Sequence, residues 1–234
     1  CMERAKAAGK IRHIGFSFHD DLEVFREIVD FYDWDFCQIQ YNYADTEEQA
    51  GTAGLEYAAS KGLGVVIMEP LRGGKLAVPA PHLAEVFPKE KKPAEWALDF
   101  LWNRPEVSVV LSGMSTEQQV EENLEYASRS HVGMLKEEDM EMYCRAGEIF
   151  NTMALVKCTR CEYCMPCPSG INIPEIFSIY NRTATDGKNA AKELYKAQET
   201  KADACIRCRR CEKVCPQHIG ISAMMLEIQE EFQD

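Results

Sequence analysis

Eight of the eleven cysteines fall in two short runs, and whatever the last third of the chain folds into has to be built around them. The first run is Cys158, Cys161, Cys164 and Cys167, followed by Pro168; the second is Cys205, Cys208, Cys211 and Cys215, followed by Pro216. Three Cys spaced by two residues, then a fourth before Pro, is a pattern that holds a cubane [4Fe–4S] cluster. Zinc is the nearest competitor, since paired CxxC units also build tetrahedral sites. A zinc reading leaves the third Cys of each run, and the Cys-Pro step, without a use. Disulfides would require an oxidising compartment, and nothing at the start of the sequence reads as a signal peptide. Cys1, Cys37 and Cys144 stand apart and read as small buried hydrophobes or incidental thiols.

The repeat continues past the cysteines. Cys167-Pro-Ser-Gly-Ile-Asn-Ile aligns with Cys215-Pro-Gln-His-Ile-Gly-Ile, so that each half runs from a Cys-Pro step through Ile-x-Ile into an apolar segment. Between the runs, Pro174–Thr183 and Gly187–Thr200 read as helices, the first from Ile176, Ile179 and Tyr180 and the second from Ala190, Leu194 and Ala197. Met224, Met225, Ile228 and Phe232 make a last helix placed to close over the clusters. The long spacing between runs resembles the α-helical ferredoxin type of respiratory iron–sulfur subunits. In two-cluster ferredoxins the fourth Cys ligates the other cluster. The resemblance therefore implies two [4Fe–4S] clusters with crossed ligation: Cys158, Cys161, Cys164 and Cys215 on one, and Cys205, Cys208, Cys211 and Cys167 on the other.

With 234 residues the chain has room for one large or two ordinary domains, and 46% hydrophobic residues is enough for a core. The net charge of −12 argues against nucleic acid or an anionic membrane as partner. No apolar run approaches the roughly 18 residues of a membrane span. Reduced thiols without a targeting segment point to the cytoplasm. The chain opens on Cys1 in an apparent helix (Cys1–Ala8), which reads as a piece of a longer protein. Arg207, Arg209, Arg210 and Lys213 crowd the second Cys run, where they would offset cluster charge, dock a redox partner, or merely be solvated.

Before residue 136 strands and helices alternate. Ile11–Phe16, Phe36–Gln40, Gly64–Met68 and Val107–Leu111 read as strands, and the Val-Val-Ile run of the third suits a parallel sheet buried on both faces. Helices follow: one capped by Asp20 with Glu23 completing a capping box, one near Glu47–Lys61, one over Ala94–Asn103 opened by Pro93, and one over Thr116–Ser128. Four β/α units imply parallel strands with right-handed crossovers. Periodicity alone does not separate half a barrel from a doubly wound sheet.

The strand ends carry a resemblance. Gly-Lys-Ile-Arg-His-Ile-Gly-Phe-Ser (9–17), Gln-Ile-Gln-Tyr-Asn (38–42), Met-Glu-Pro-Leu-Arg-Gly-Gly-Lys-Leu (68–76), Ser-Gly-Met-Ser (112–115) and Gln119-Val-Glu-Glu-Asn123 resemble the aldo/keto reductase family, at its fifth to eighth strands. The fold implied is the C-terminal half of a (β/α)8 TIM barrel over 1–135, a connecting helix over 136–156, and an α-helical ferredoxin-like domain over 157–234. The whole is similar to the branch in which such a barrel carries a C-terminal ferredoxin-type domain.

The resemblance implies part of an NADP or NAD site, at the strand ends where barrel enzymes build their sites. Ser17 and Gln38 would bind the nicotinamide carboxamide; Leu71, Arg72 and Gly73, in the loop 70–74, would cover the pyrophosphate; Gly113, Ser115, Gln119, Glu122 and Asn123 would meet the adenosine. Against the family pattern, Phe18 replaces an Asn, Met68 an aromatic, and Gly113 and Gln119 replace basic residues, which leaves NADP against NAD open. The family's catalytic Asp, Tyr, Lys and His belong to units absent from this sequence. None of His13, His19, His82, His131 and His218 matches the catalytic His, and Tyr41 and Tyr43 match the sixth strand, not the acid catalyst. No catalytic residue is assigned. The implied function is the C-terminal portion of an iron–sulfur oxidoreductase, with a redox protein or a carbonyl or quinone as partner. The alternative is a non-enzymatic electron carrier whose half barrel is a docking scaffold.

Overall fold

The computed structural model describes residues 1–233, with the side chain of His82 outside the described set. The chain divides into two compact units, the first Cys1–Glu148 and the second from Ile149 onward.

In the first unit β1 (Gly15–Ser17), β2 (Phe36–Gln40), β3 (Gly64–Met68) and β4 (Val107–Val110) pair in chain order, all parallel. The helices are α1 (Met2–Ala7), α2 (Leu22–Phe31), α3 (Gly51–Ser60), the short α4 (Pro81–Ala84), α5 (Pro93–Trp102) and α6 (Glu117–Arg129). β1 is shorter than the sequence predicts. Ile14 donates its N–H to the Asp35 carboxylate at 2.7 Å instead of to a neighbouring strand, so pairing starts at Gly15. A Cβ on Gly15 would run into the Phe36 carbonyl, so glycine is what allows that pairing.

The α2 cap also lies one residue on from the expected one. Asp21 accepts from the Val24 N–H at 3.0 Å, whereas Asp20 accepts from Asp21 itself, and with that register Glu23 completes no capping box. α6 does have one, formed by Thr116 and Gln119. β3 is less symmetric than its sequence predicts. Val65 and Ile67 are fully buried while Val66 and Met68 are half-buried. Beside it the ladder to β4 skips Ser108, whose hydroxyl accepts the Val65 N–H at 3.1 Å and so satisfies the donor the bulge releases.

The core of this unit includes Phe25 and Val29 of α2, Leu55 and Ala58 of α3, and Trp96, Leu98 and Leu101 of α5. A cluster of Tyr43, Phe87, Trp96 and Phe100 closes on Tyr143, whose hydroxyl donates to the Trp96 carbonyl at 2.7 Å. Tyr143 lies in α7 (Glu137–Met153), which runs through the division between the units. Cys37 is buried and its thiol is pushed up to about 12 by desolvation, as a small core residue, whereas Cys1 and Cys144 are exposed thiols.

The second unit is helical: α8 (Ile173–Thr185), α9 (Lys188–Lys196) and α10 (Ile221–Phe232), with 3₁₀ turns at Ala202–Ala204 and Glu212–Val214. Gly187 caps α9, which ends at Lys196 and not at Thr200. Ile171, Ile173, Ile176, Phe177, Ile179, Ile221, Met225 and Ile228 are buried together, with Phe232 against Tyr180 and Tyr195. Asn181 clamps the backbone that enters the first Cys run, accepting from Val156 N–H at 2.7 Å and donating to its carbonyl at 2.9 Å.

The costliest single change in the first unit is expected at Arg72, fully buried against Asp45. Leaving either charge alone costs about 3–5 kcal/mol. Arg72→Leu is therefore expected to lower stability by that amount, against a far smaller loss for Lys61→Ala in the exposed Lys61–Asp30 pair. All three tryptophans, Trp34, Trp96 and Trp102, lie in the first unit, so urea unfolding followed by tryptophan fluorescence checks both values.

Candidate metal centres and strand-end site

The eight cysteines sort into two pockets of the second unit, and not by run. Cys158, Cys161, Cys164 and Cys215 line one, with Ile173, Phe177, Ile219 and Ile221. Cys167, Cys205, Cys208 and Cys211 line the other, with Met165, Val214 and Met225. Cys164, Ile173 and Ile221 border both, so the two pockets share a wall. The first is narrow, about 20 Å³; the second is about 420 Å³. Among the described residues no three His, Cys, Asp or Glu side chains converge tightly enough to grip one ion. Thiolates around a cubane stand farther apart than around a single atom, because the cluster lies between them.

The backbone repeats as closely as the sequence. Arg160 and Glu162 flank Cys161 with φ of 62° and 64°; Arg207 and Arg209 flank Cys208 with φ of 54° and 57°. Left-handed conformations are costly for residues with a side chain, about 1–3 kcal/mol each, and they collect at functional sites. Turns of this kind can form the concavities that receive anions and Fe–S clusters. The Arg160 N–H lies 3.4 Å from the Cys158 sulfur. After each Cys-Pro step, Gly170 (φ 75°) and His218 (φ 49°) make the same turn, with Gly170 N–H donating to Cys167 at 2.9 Å and His218 N–H to Cys215 at 3.1 Å. Ile171 and Ile219 then enter α8 and α10 alike. None of these left-handed positions but Gly170 is announced by its residue type.

Four or more cysteine sulfurs in each pocket, set beside isoleucine and other apolar side chains, fit an iron–sulfur cluster. Burial pushes the Cys164 thiol up to about 12, with Cys158 adding to the shift, and burial also raises Cys211. Cluster loading must therefore displace protons from these thiols.

In the first unit Ser17 ends β1, Gln38 is the middle residue of β2, Leu71–Gly73 and Gly113–Ser115 lie in the loops after β3 and β4, and Gln119, Glu122 and Asn123 lie in α6. Ser17 and Gln38 are direct register partners on β1 and β2. Ser17 is exposed, and the Gln38 amide lies 3.5 Å from the Met68 sulfur. Leu71 is half-buried and Gly73 exposed. Arg72 points inward: its guanidinium pairs with Asp45, which also accepts from Gln40 at 2.9 Å and Asn42 at 3.0 Å. Gly113 and Ser115 are exposed. The Gln119 carbonyl accepts from Ser115 N–H at 2.8 Å, Glu122 pairs with Lys92 at 2.6 Å, and the Asn123 amide donates to Ser112 at 3.0 Å. The Lys92 ammonium, by hydrogen bonding, holds the Glu122 carboxyl below its usual range. The buried Gln40–Asn42–Asp45–Arg72 network is absent from the sequence reading; Asp45 between Tyr-Ala and Thr-Glu looks like a turn residue until the fold brings Arg72 to it. Of the histidines, His13, His131 and His218 are exposed and His19 half-buried.

The sequence profile of the aldo/keto reductase family matches residues 1–142, and that of the 4Fe-4S dicluster domain matches residues 154–219. The chain belongs to the aldo/keto reductase family and carries a 4Fe-4S domain behind its half barrel. Among solved structures it is similar to the aldo-keto reductase AKR11C1 from Bacillus halodurans, at 22% identity and a TM-score of 0.53. The match covers 62% of this chain and 53% of the holo form or 54% of the apo form, so the chain spans about half the length of these solved relatives. No curated protein matches it. The fold expected from the strand ends, half of a (β/α)8 barrel followed by a helical ferredoxin-like region, is the one found. Among the described residues no helix is long and apolar enough to cross a membrane.

The left-handed positions carry a direct expectation. A β-branched side chain tolerates that region least, so Glu162→Val is expected to cost about 1–2 kcal/mol and Glu162→Gly nothing. Amide exchange of a peptide covering 158–167 should then quicken about 5–30-fold in Glu162→Val and stay slow in Glu162→Gly.

Proposed function

We propose that this chain is the C-terminal portion of an iron–sulfur oxidoreductase of the aldo/keto reductase type, holding two [4Fe–4S] clusters with crossed ligation. Cys158, Cys161, Cys164 and Cys215 hold one, and Cys205, Cys208, Cys211 and Cys167 the other. The observation that supports this reading is that Cys215 lines the pocket of Cys158, Cys161 and Cys164 while Cys167 lines that of Cys205, Cys208 and Cys211, with Cys164 bordering both. The shared wall at Cys164 gives electrons a short path between the two sets.

On β1 and β2, Ser17 and Gln38 offer a hydroxyl and an amide side by side, a pairing able to meet both ends of a carboxamide. The exposed Gly73 and Gly74 let backbone N–H groups approach a phosphate, with Arg72 bracing the loop from behind through Asp45. A bound nicotinamide supplies hydride, two electrons at once, whereas each cluster passes one. Carbonyl or quinone reduction at the barrel and electron traffic at the clusters are then separate tasks of the same protein.

A second reading, an electron carrier whose half barrel is a scaffold, is favoured by one observation. Gln119, Glu122 and Asn123, the residues for the adenosine end, already have internal partners. Titration with NADH and NADPH separates the readings. Binding that Gln38→Leu abolishes supports the cofactor site, and no binding supports the scaffold.

Anaerobic reconstitution is expected to give about eight irons and eight acid-labile sulfides per chain. Cys215→Ala is expected to damage the cluster of Cys158, Cys161 and Cys164 and to leave the other nearer intact, with Cys167→Ala doing the reverse. Iron and sulfide analysis with absorbance spectra checks this. Tightly bound zinc without sulfide would remove the cluster reading, and loss of each run's own cluster would remove the crossing.

A further inference from the structure

We propose that the loop carrying Cys205, Cys208 and Cys211 is the port through which electrons pass to or from a partner protein, and that this partner presents an acidic face. The proposal rests on the two-cluster reading and adds the direction in which the clusters face outward.

The two Cys loops have the same backbone, yet their surfaces differ. In the first loop Arg160 is tied to Glu175 at 2.9 Å and Ser178 at 3.3 Å, and Glu162 brings the opposite charge. The equivalent of Glu162 in the second loop is Arg209, and the equivalent of Tyr163 is Arg210. Arg207, Arg209, Arg210 and Lys213 are all exposed. Glu212 stands 3.9 Å from Arg209, but its carboxylate is committed to Ser222, accepting from its N–H at 2.8 Å and its hydroxyl at 2.6 Å. Among the described residues no carboxylate forms an ion pair with Arg207, Arg210 or Lys213.

The same loop also exposes apolar side chains. Ile206 is 70% exposed and Val214 49% exposed, and Cys208 lies at the surface beside them. Exposed apolar groups among cations suit a protein-docking surface, and the exposed Cys208 among them, as a cluster ligand, shortens the path for transfer. The chain as a whole carries −12, so an acidic partner is repelled by most of its surface and drawn to this one. That contrast selects an orientation as well as a partner.

The test begins with wild type and the variant Arg210→Gln/Lys213→Gln at matched iron and sulfide content. Failure to load iron and sulfide at that stage counts against the cluster reading, not against the port. Each reduced protein is then mixed with oxidised flavodoxin, an acidic redox protein, and with benzoquinone, a small neutral oxidant. The wild-type rate with flavodoxin is expected to fall about tenfold between about 0.05 and 0.5 M salt. The variant is expected to be about tenfold slower at low salt and nearly indifferent to salt, with the benzoquinone rate unchanged. A wild-type rate that salt leaves unchanged or raises, or a variant as fast as wild type, would overturn the proposal. Equal slowing with benzoquinone would overturn it too, by assigning the cations to the cluster's own energetics.

Discussion

Cys215 lies in space with residues more than fifty positions earlier, and Cys167 with residues some forty positions later. That exchange governs the second unit. For Cys215 to reach Cys158, Cys161 and Cys164, the chain must return after α8 and α9 to its own first half. The Ile171–Ile173 and Ile219–Ile221 steps then converge and supply the floor of both pockets. The helices need this arrangement as much as the thiols do. The small unit has one core, and six of the eight cysteines pack directly against it. A bond made across such a core closes a long loop, the case in which a cross-link removes most entropy from the unfolded chain.

The first unit depends on a different constraint. Parallel strands deliver their C-terminal ends to one side, and the loops leaving them contain polar groups that the fold has to satisfy. Asp45 does much of this, gathering Gln40, Asn42 and Arg72 around one buried carboxylate. The loop after β3 is thereby braced from inside, and its glycines are left at the surface. Rigid support behind an adaptable loop is the usual construction of a barrel-end site.

Much of this was legible in the sequence, for physical reasons. The Cys spacing restricts the possible chemistry so strongly that the metal class followed from it, and family profiles agree. Phe36–Gln40, where apolar residues are interspersed with Gln38 and Gln40, and Gly64–Met68, an apolar run, both read as strands at their observed bounds. β1 was overextended because Ile11 and Ile14 suit a strand, while the Asp35 carboxylate that captures the Ile14 N–H lies 21 residues away. Asp20 and Asp21 are equally good caps, and only the packing of Phe25 and Val29 chooses between them. The inward turn of Arg72 depends on Asp45, 27 residues distant, and an Arg between Leu and Gly-Gly looks like a phosphate contact. The left-handed turns at Arg160, Glu162, Arg207 and Arg209 had no residue signal at all; only their repetition in both loops identifies them as part of the site.

In the proposed arrangement the two clusters sit in one core, divided by the wall that Cys164, Ile173 and Ile221 provide. Electron paramagnetic resonance of the reconstituted protein during stepwise reduction tests it most directly. The account predicts one simple signal when about one electron has been added per chain. Full reduction should then give a broadened, split spectrum, from magnetic coupling of two paramagnets at close range. Two signals that merely add, with no change in shape between half and full reduction, would place the clusters far apart and contradict the crossed arrangement.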